Sequence, residues 1–570
     1  MSSLPVLRQS AAELLALVVT DLFPGALLAR SVATEFGFFC DIIATQPIDD
    51  YALPLIEEKM RGYAKQNLEV KALDMMREVA ANYLEHKGQS IRADAVRSAK
   101  ENIVSLIQIG DFADYCQLPY ISEAQEVESF KIFKIEPAVC FIPEEGMVDV
   151  KRIHGTVSTD KQSLKKLVKA LQAGRKSDHT NLPKERELFS FHEEISTLSC
   201  VWERNGAEFK RILTAWWEKE HKKQQFRLVS TPSLVKESLT RKAGVYHDHF
   251  AEIHPPVFEI NDTQYVIAPT VAPAHMVLFQ EKLRSSREMP IRIGECAPVV
   301  SLEQGSNLWG AFDSTLVSAD FAHIFCAPEH LEEEFISSLQ FIDKFIKMFG
   351  FEYYWYFKGR GEKFAGTVNR WEKATLSLDS AFQKSGFTYV SDPQESAFAG
   401  PVAEARLIDS CGREWKGPTV GLDFNSPDRM ALRYQGTDGK THVPLMIVRS
   451  LFGSFERFVA LLLENTSGVL PLWLAPEQVR VLPVKMEYDA NAKAVRQAIS
   501  DAGYRAEIDY GHEQIGKKVT KAQHEKVPYL IIIGEKEENE HLITLRSGIE
   551  AHQQIITVEA FLKLIGEVTP

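Results

Sequence analysis

After Pro471 the sequence alternates short aliphatic runs with amphipathic segments, and few folds satisfy that alternation. Strand-like runs at Val479–Val484, Ala506–Tyr510, Tyr529–Gly534 and Leu542–Leu545 are separated by helical patterns at Ala490–Ala502 and Ile515–Glu525. A last helix begins at Val558. Nearly continuous apolar strands between amphipathic helices imply a small α/β layer with a largely buried sheet. That layer fills only the end of a 570-residue chain, which is too long for one core. About three or four domains are expected from length alone.

The upstream patterns differ. Ser10–Phe23 has helical apolar spacing and stops at Pro24-Gly25, and Leu53–Lys87 reads as one or two amphipathic helices. From Phe112 to Ile153 the pattern is richer in β-branched and aromatic residues and is broken by prolines, as in strands. The first unit is therefore α+β and ends near His154-Gly155. Asp160–Asn181 is helical and basic (Lys161, Lys165, Lys166, Lys169, Arg175, Lys176), either a solvated face or a connector that touches RNA phosphates. Beyond Phe189, helices at Gly206–Lys222 and Pro328–Phe349 mix with strand-like runs such as Phe351–Phe357, up to a joint at Pro471–Pro476.

Composition excludes some functions. The net charge of −13 weighs against a protein that coats nucleic acid through Lys and Arg, though not against a local basic surface. No apolar stretch is long enough for a membrane span, and no basic region followed by an apolar run opens the chain, so a cytoplasmic protein is expected. The seven cysteines are dispersed and form no CxxC, which fits reduced thiols.

Five runs carry a resemblance. They are Arg152-Ile153-His154-Gly155-Thr156, Ala322-His323-Ile324-Phe325-Cys326, Gly412-Arg413-Glu414-Trp415, Gly453–Phe458 and Trp473-Leu474-Ala475-Pro476. In this order and spacing the chain resembles the threonyl-tRNA synthetases, class II aminoacyl-tRNA synthetases, without the small N-terminal ubiquitin-like domain common among them. The resemblance implies an α+β multidomain protein in four parts. They are an editing-type α+β domain at 1–156, a connector helix at 157–188, a class II antiparallel-sheet catalytic-type domain at 189–470 and an α/β anticodon-binding domain at 471–570. It also implies a homodimer through the region of Pro232, or a heterodimer with a true synthetase.

Amino-acid activation needs positive charge on the ATP α-phosphate, a clamp on adenine and, for threonine, a zinc ion with an open position. The resemblance places the three zinc ligands at Ala272, His323 and Val448, so no zinc is expected and His323 is read as a satisfied core histidine. The two motif 2 arginines fall on Ser301 and Asp313. Threonine contacts fall on Ala319, Phe321, Lys416 and Gly421, while Thr419 remains. Arg457 is retained, either as the adenine-side ATP contact or as a structural partner.

The editing histidines fall on Gln9, Glu13 and Tyr120, with Asp114 and Cys116 left as remnants. At the C-terminus the anticodon readers Glu537 and Arg546 are kept, His512 stands for a third contact, and Lys517, Lys518 and Lys521 offer phosphate contacts. The alternative for Glu537 and Arg546 is a charged hairpin pair. A cluster of His247, Asp248, His249, Glu252 and His254 reads as solvated loop residues. The expectation is an accessory paralogue, a pseudoenzyme that binds threonine-type tRNA or a synthetase partner. The alternative is a working ligase, for threonine or another acid, with ATP and Mg; a third possibility is a hydrolase using Cys116 and Asp114.

Overall fold

The computed structural model describes residues 4–568 apart from 35–36, 45–46, 67, 100, 116–119, 143–145, 175–185, 193, 197, 246–255, 302–309, 393–394, 411–412 and 549–552. The expectations for Cys116 and for the cluster from His247 to His254 lie outside these residues, as does the side chain of Asp313. The chain divides into two compact units, the first made mainly of Met1–Arg175 and the second of almost all the rest.

In the first unit, strands Leu27–Ala33, Phe38–Ile43, Gly146–Val157 and Phe130–Ile142 form an antiparallel sheet in that order. Helix Leu4–Leu22 lies on it, with Leu7, Ala11, Leu15 and Val18 in the same core as Phe38, Cys40 and Ile153. The helical pattern expected over Leu53–Lys87 is interrupted. Helix Leu53–Lys65 is followed by strand Val70–Met76 and only then by helix Arg77–His86. That strand pairs with Ile103–Ile109, and most of its side chains are exposed, so burial left little alternation to read. The basic segment is helical over Lys161–Gly174.

The second unit is built on a nine-stranded sheet. Its six long strands run antiparallel in the order Ile291–Val300, Leu316–Cys326, Leu445–Ser450, Glu414–Asp423, Val402–Ile408 and Glu352–Arg360. Helices Arg204–Lys223, Leu331–Met348 and Phe455–Asn465 bring aromatic residues together, Trp216, Phe345 and Phe458 among them. The C-terminal sheet has five strands in the order Ala506–Ile508, Val479–Pro483, Tyr529–Ile533, Ile543–Ser547 and Gln553–Ile556. The first three are parallel, as the strand–helix alternation demands, and the last two close the sheet as antiparallel hairpins. Among the described residues no helix is long and apolar enough to cross a membrane.

Candidate functional site

The strand Leu316–Cys326 divides the site. Side chains alternate along it, so Val317, Ala319, Phe321 and His323 share one face and Asp320 takes the other. Its register sets His323 opposite Ile293 on one side and opposite Val448 on the other, with Gly421 beyond Val448. On the His323 face, Val271, Ala297, Val299, Val317 and Ala319 form a buried apolar cluster, with Phe321 packed against it. Ala272, Phe321 and Val448 are only partly buried.

His323 is fully buried, as a core histidine would be, but it is only half satisfied. Its Nδ1 contacts Nδ1 of His275 at 2.7 Å, while its Nε2 is buried without a hydrogen-bond partner. His275, on helix Ala272–Gln280, continues to Glu295 through Nε2 at 3.0 Å. Glu295 accepts from the Thr231 amide at 2.7 Å and the Thr231 hydroxyl at 2.6 Å. Burial opposes ionisation of Glu295, but the bonds from His275 and Thr231 outweigh it and hold its pKa below the usual carboxylate value. Sequence reasoning missed His275. The available signal was its place one helical turn after Ala272, which turns it to the same side.

These residues do not fit zinc. Ala272 and Val448 have no ligand atoms, both nitrogens of His275 are engaged, and Glu295 is held by Thr231 and His275. Among the described residues no three His, Cys, Asp or Glu side chains are grouped to hold a metal ion.

On the other face Asp320 holds the loop that starts helix Phe455–Asn465. It accepts from Trp217 Nε1 (3.0 Å), Ser450 Oγ (2.9 Å) and the amides of Leu451, Phe452 and Gly453 (2.8, 2.8 and 3.1 Å). Ser454 caps the helix by accepting from the Arg457 amide, and Arg457 Nη2 donates to the Phe312 carbonyl at 3.4 Å. Arg457 is thus tied to the Gly310–Asp313 turn, whose Phe312 packs on Trp415 with ring centroids 4.3 Å apart. The Ser301 amide bonds the Thr315 carbonyl. Thr419 pairs with Ser450 across the sheet, and Lys416 is exposed.

The first unit has a polar cluster at the positions the resemblance assigns to editing. Glu13 Oε1 accepts from Gln9 Nε2 (2.8 Å) and Ser31 Oγ (2.7 Å), and Ser31 Oγ also reaches Asp114 Oδ2 at 3.2 Å. Asp114 pairs with Arg92 Nε at 2.6 Å. Glu13 Oε2 is buried without a partner. Burial, and then the Asp114 charge, push the Glu13 pKa well above the usual carboxylate value.

In the C-terminal sheet, Glu537 sits in the first turn of helix Glu535–Glu540 and accepts from the Gly534 amide (3.0 Å) and Thr544 Oγ1 (2.6 Å). Burial would raise its pKa, but these bonds lower it. Arg546 lies opposite Leu530 and Gln553, and its Nε is buried without a hydrogen-bond partner. Among the described residues no ion pair joins Glu537 to Arg546, so the hairpin-pair reading is corrected. The expectation for Lys518 is corrected too. Its Nζ is buried and donates to the Pro483 and Asp509 carbonyls at 3.2 and 2.9 Å. Lys517, Lys521 and His512 are exposed.

The antiparallel sheet with its appended α/β sheet defines a class II tRNA synthetase fold. Residues 257–466 match the tRNA synthetase class II core domain (G, H, P, S and T), and residues 478–567 match the anticodon binding domain. The threonine–tRNA ligase of Acetivibrio thermocellus is 33% identical over 561 residues, covering 98% of this chain and 88% of that one. The threonine–tRNA ligase of Clostridium acetobutylicum is 33% identical over 557 residues, covering 98% and 87%. A solved structure titled as the RNA binding domain of threonyl-tRNA synthetase from Cryptosporidium parvum has a TM-score of 0.65 and 29% identity, covering 69% of this chain and 98% of that one. The chain belongs to the threonine–tRNA ligase family.

Proposed function

We propose that this chain is a threonine–tRNA ligase family member that no longer activates threonine and acts as an accessory protein, binding tRNA or a synthetase partner. The apolar face around His323 carries the reading. Where the family places zinc ligands and threonine contacts, this chain has Ala272, Val448, Ala319 and Phe321, and Val271, Ala297, Val299 and Val317 close the cluster. Ser301, at a motif 2 arginine position, offers no charge to an α-phosphate, and losing one such group costs roughly a hundredfold or more in rate.

RNA recognition is assigned to Arg546, Glu537 and His512, with phosphate contacts from Lys517 and Lys521 on the exposed side of helix Ile515–His524. Homodimerisation is assigned to the small sheet next to Pro232, where Leu234, Val257, Phe258 and Ile260 are exposed apolar side chains on strands Leu234–Lys236 and Val257–Ile260. A cytoplasmic location goes with this role.

The test is threonine-dependent ATP–pyrophosphate exchange by the purified protein, expected to be silent; clear exchange ends the reading. A mobility-shift titration with threonine tRNA should show a preference over other tRNAs, and the absence of one removes the anticodon assignment. The second reading, a working or redirected ligase using ATP and Mg, is favoured by the ligase relatives and by retained Arg457 and Thr419. Stabilisation by ATP in a thermal-shift screen across amino acids would support it.

A further inference from the structure

A cavity of about 310 Å³ lies inside the second unit. Leu188, Asn205 and Leu470 line it together with the edge strand Ala506–Ile508 of the C-terminal sheet and the end of helix Ile515–His524. Ligand sites run from roughly 300 to 1,000 Å³, so this one suits a compact molecule.

Acidic and basic side chains line the cavity in equal number, and several are already matched. Arg480 donates to Glu477 through Nε at 2.8 Å and to Glu525 through Nη1, and Arg204 pairs with Glu507. Four are left over. Among the described residues Lys521, Lys526, Glu187 and Asp509 make no ion pair. Lys526 is half-buried, where an ammonium without a counter-charge is costly. Two of the four also have their backbone fixed. Glu187 and Lys526 both adopt left-handed φ, 52° and 59°, which residues other than glycine seldom do. The Glu187 carbonyl accepts from the amides of Asn205 (3.0 Å) and Gly206 (3.2 Å), and the Lys526 amide donates to the Gln523 carbonyl at 3.1 Å.

This balance selects the ligand. An anion that meets Lys521 and Lys526 also meets the unpaired carboxylates of Glu187 and Asp509, and a cation meets the reverse. Either adds a like-charge contact, which is unfavourable at short range. A molecule that carries both charges satisfies both pairs. We propose that the cavity binds a free α-amino acid, its carboxylate held by Lys526 and Lys521 and its ammonium by Glu187 and Asp509. The site is separate from the His323 face, and it stands whether or not threonine activation has been lost.

The full chain is titrated by calorimetry with each proteinogenic L-amino acid in turn, and hydrogen exchange locates the binding. At least one amino acid should bind saturably and slow exchange in Ala506–Ile508. Its decarboxylated amine and its N-acetyl derivative, each keeping one charge, should bind more weakly by roughly tenfold or more. Glu187→Gln and Lys526→Gln should each weaken binding about tenfold. Both side chains reach solvent, so the variants stay folded, and a thermal melt checks this. The proposal is overturned if no amino acid binds, or if either single-charge analogue binds as tightly as the parent. It is also overturned if both variants keep full affinity, or if protection falls on helix Ala272–Gln280 and strand Leu316–Cys326 instead. That last pattern would place the amino acid at the His323 face and would count for the working-ligase reading. Silence in every titration would end the cavity site and leave the accessory reading as it stands.

Discussion

The polar cluster of the first unit and the His323 face of the second lie where the resemblance places the family's functional residues, and they are built in opposite ways. Around Glu13 the replacements stay polar, and Gln9, Ser31, Asp114 and Arg92 bind one another in a buried network. Around His323 the replacements are apolar, and one chain of four polar residues crosses a cluster of Val and Ala. The first solution satisfies buried polar groups by pairing them; the second removes most of them. Pairing makes each member costly to delete, because its neighbours then lose their partner inside the protein. An apolar wall tolerates deletion and resists the return of charge.

Deletion in the polar cluster should therefore have the largest effect. Asp114→Ala should destabilise the first unit by about 3 kcal/mol, since it removes one partner of a buried ion pair while Arg92 keeps the Tyr115 carbonyl at 2.7 Å. Hydrogen exchange of the Leu4–Leu22 amides reads that unit directly. A change within error would mean the network is not what holds it. Next in size is charge returned to the apolar face. Phe321→Asp restores a carboxylate directly across the strand from Glu295 and should cost roughly 2 kcal/mol, read by denaturant unfolding of the second unit. A neutral or stabilising outcome would show that the face still accepts charge and would break the comparison.

Much of this contrast could not be read along the chain. The parallel core of the C-terminal sheet was legible because Val479–Pro483 and Tyr529–Ile533 are buried apolar runs flanked by amphipathic helices. Val70–Met76 was not, because an edge strand with mostly exposed side chains leaves no burial alternation. Lys518 looked like one of three basic residues on a helix face, yet its ammonium is drawn inward by two carbonyls from other segments. Glu13 read as a lost histidine. Its partners Ser31 and Asp114 come from distant strands, so only the fold shows the two carboxyl groups meeting at one hydroxyl. His275 was hidden for the same reason, since Glu295 and His323 meet it across a helix and two strands.

Protonation sharpens the comparison further. The folded pKa of Glu13 is raised above its unfolded value, so the folded state holds a proton that the unfolded state releases. Its contribution is complete below the ordinary carboxylate range and is lost as pH rises toward the folded pKa. Within that window wild-type stability should fall by about 1.4 kcal/mol per pH unit relative to Glu13→Gln, whose neutral amide does not titrate. Denaturant midpoints for both proteins across pH test this. Parallel curves would mean that Glu13 is ionised in the fold and that the network balances charge with Arg92.

The smallest expected effect separates a retained residue from a rebuilt one. The resemblance assigns an anticodon reader to Glu537, yet both of its oxygens are used by the fold, one by the Gly534 amide and one by Thr544. Glu537→Ala should cost about 1 kcal/mol, the usual worth of a helix-start cap, and Glu537→Gln less, because an amide oxygen can still accept from Gly534. Affinity for threonine tRNA is then measured with both variants at a temperature where they stay folded. If affinity falls with Ala in step with stability and is kept with Gln, Glu537 acts on RNA only by shaping the turn beside Arg546. If both variants lose affinity while folded, the carboxylate itself meets a base. The C-terminal sheet would then differ from both rebuilt regions in keeping the family's contact as well as its residue.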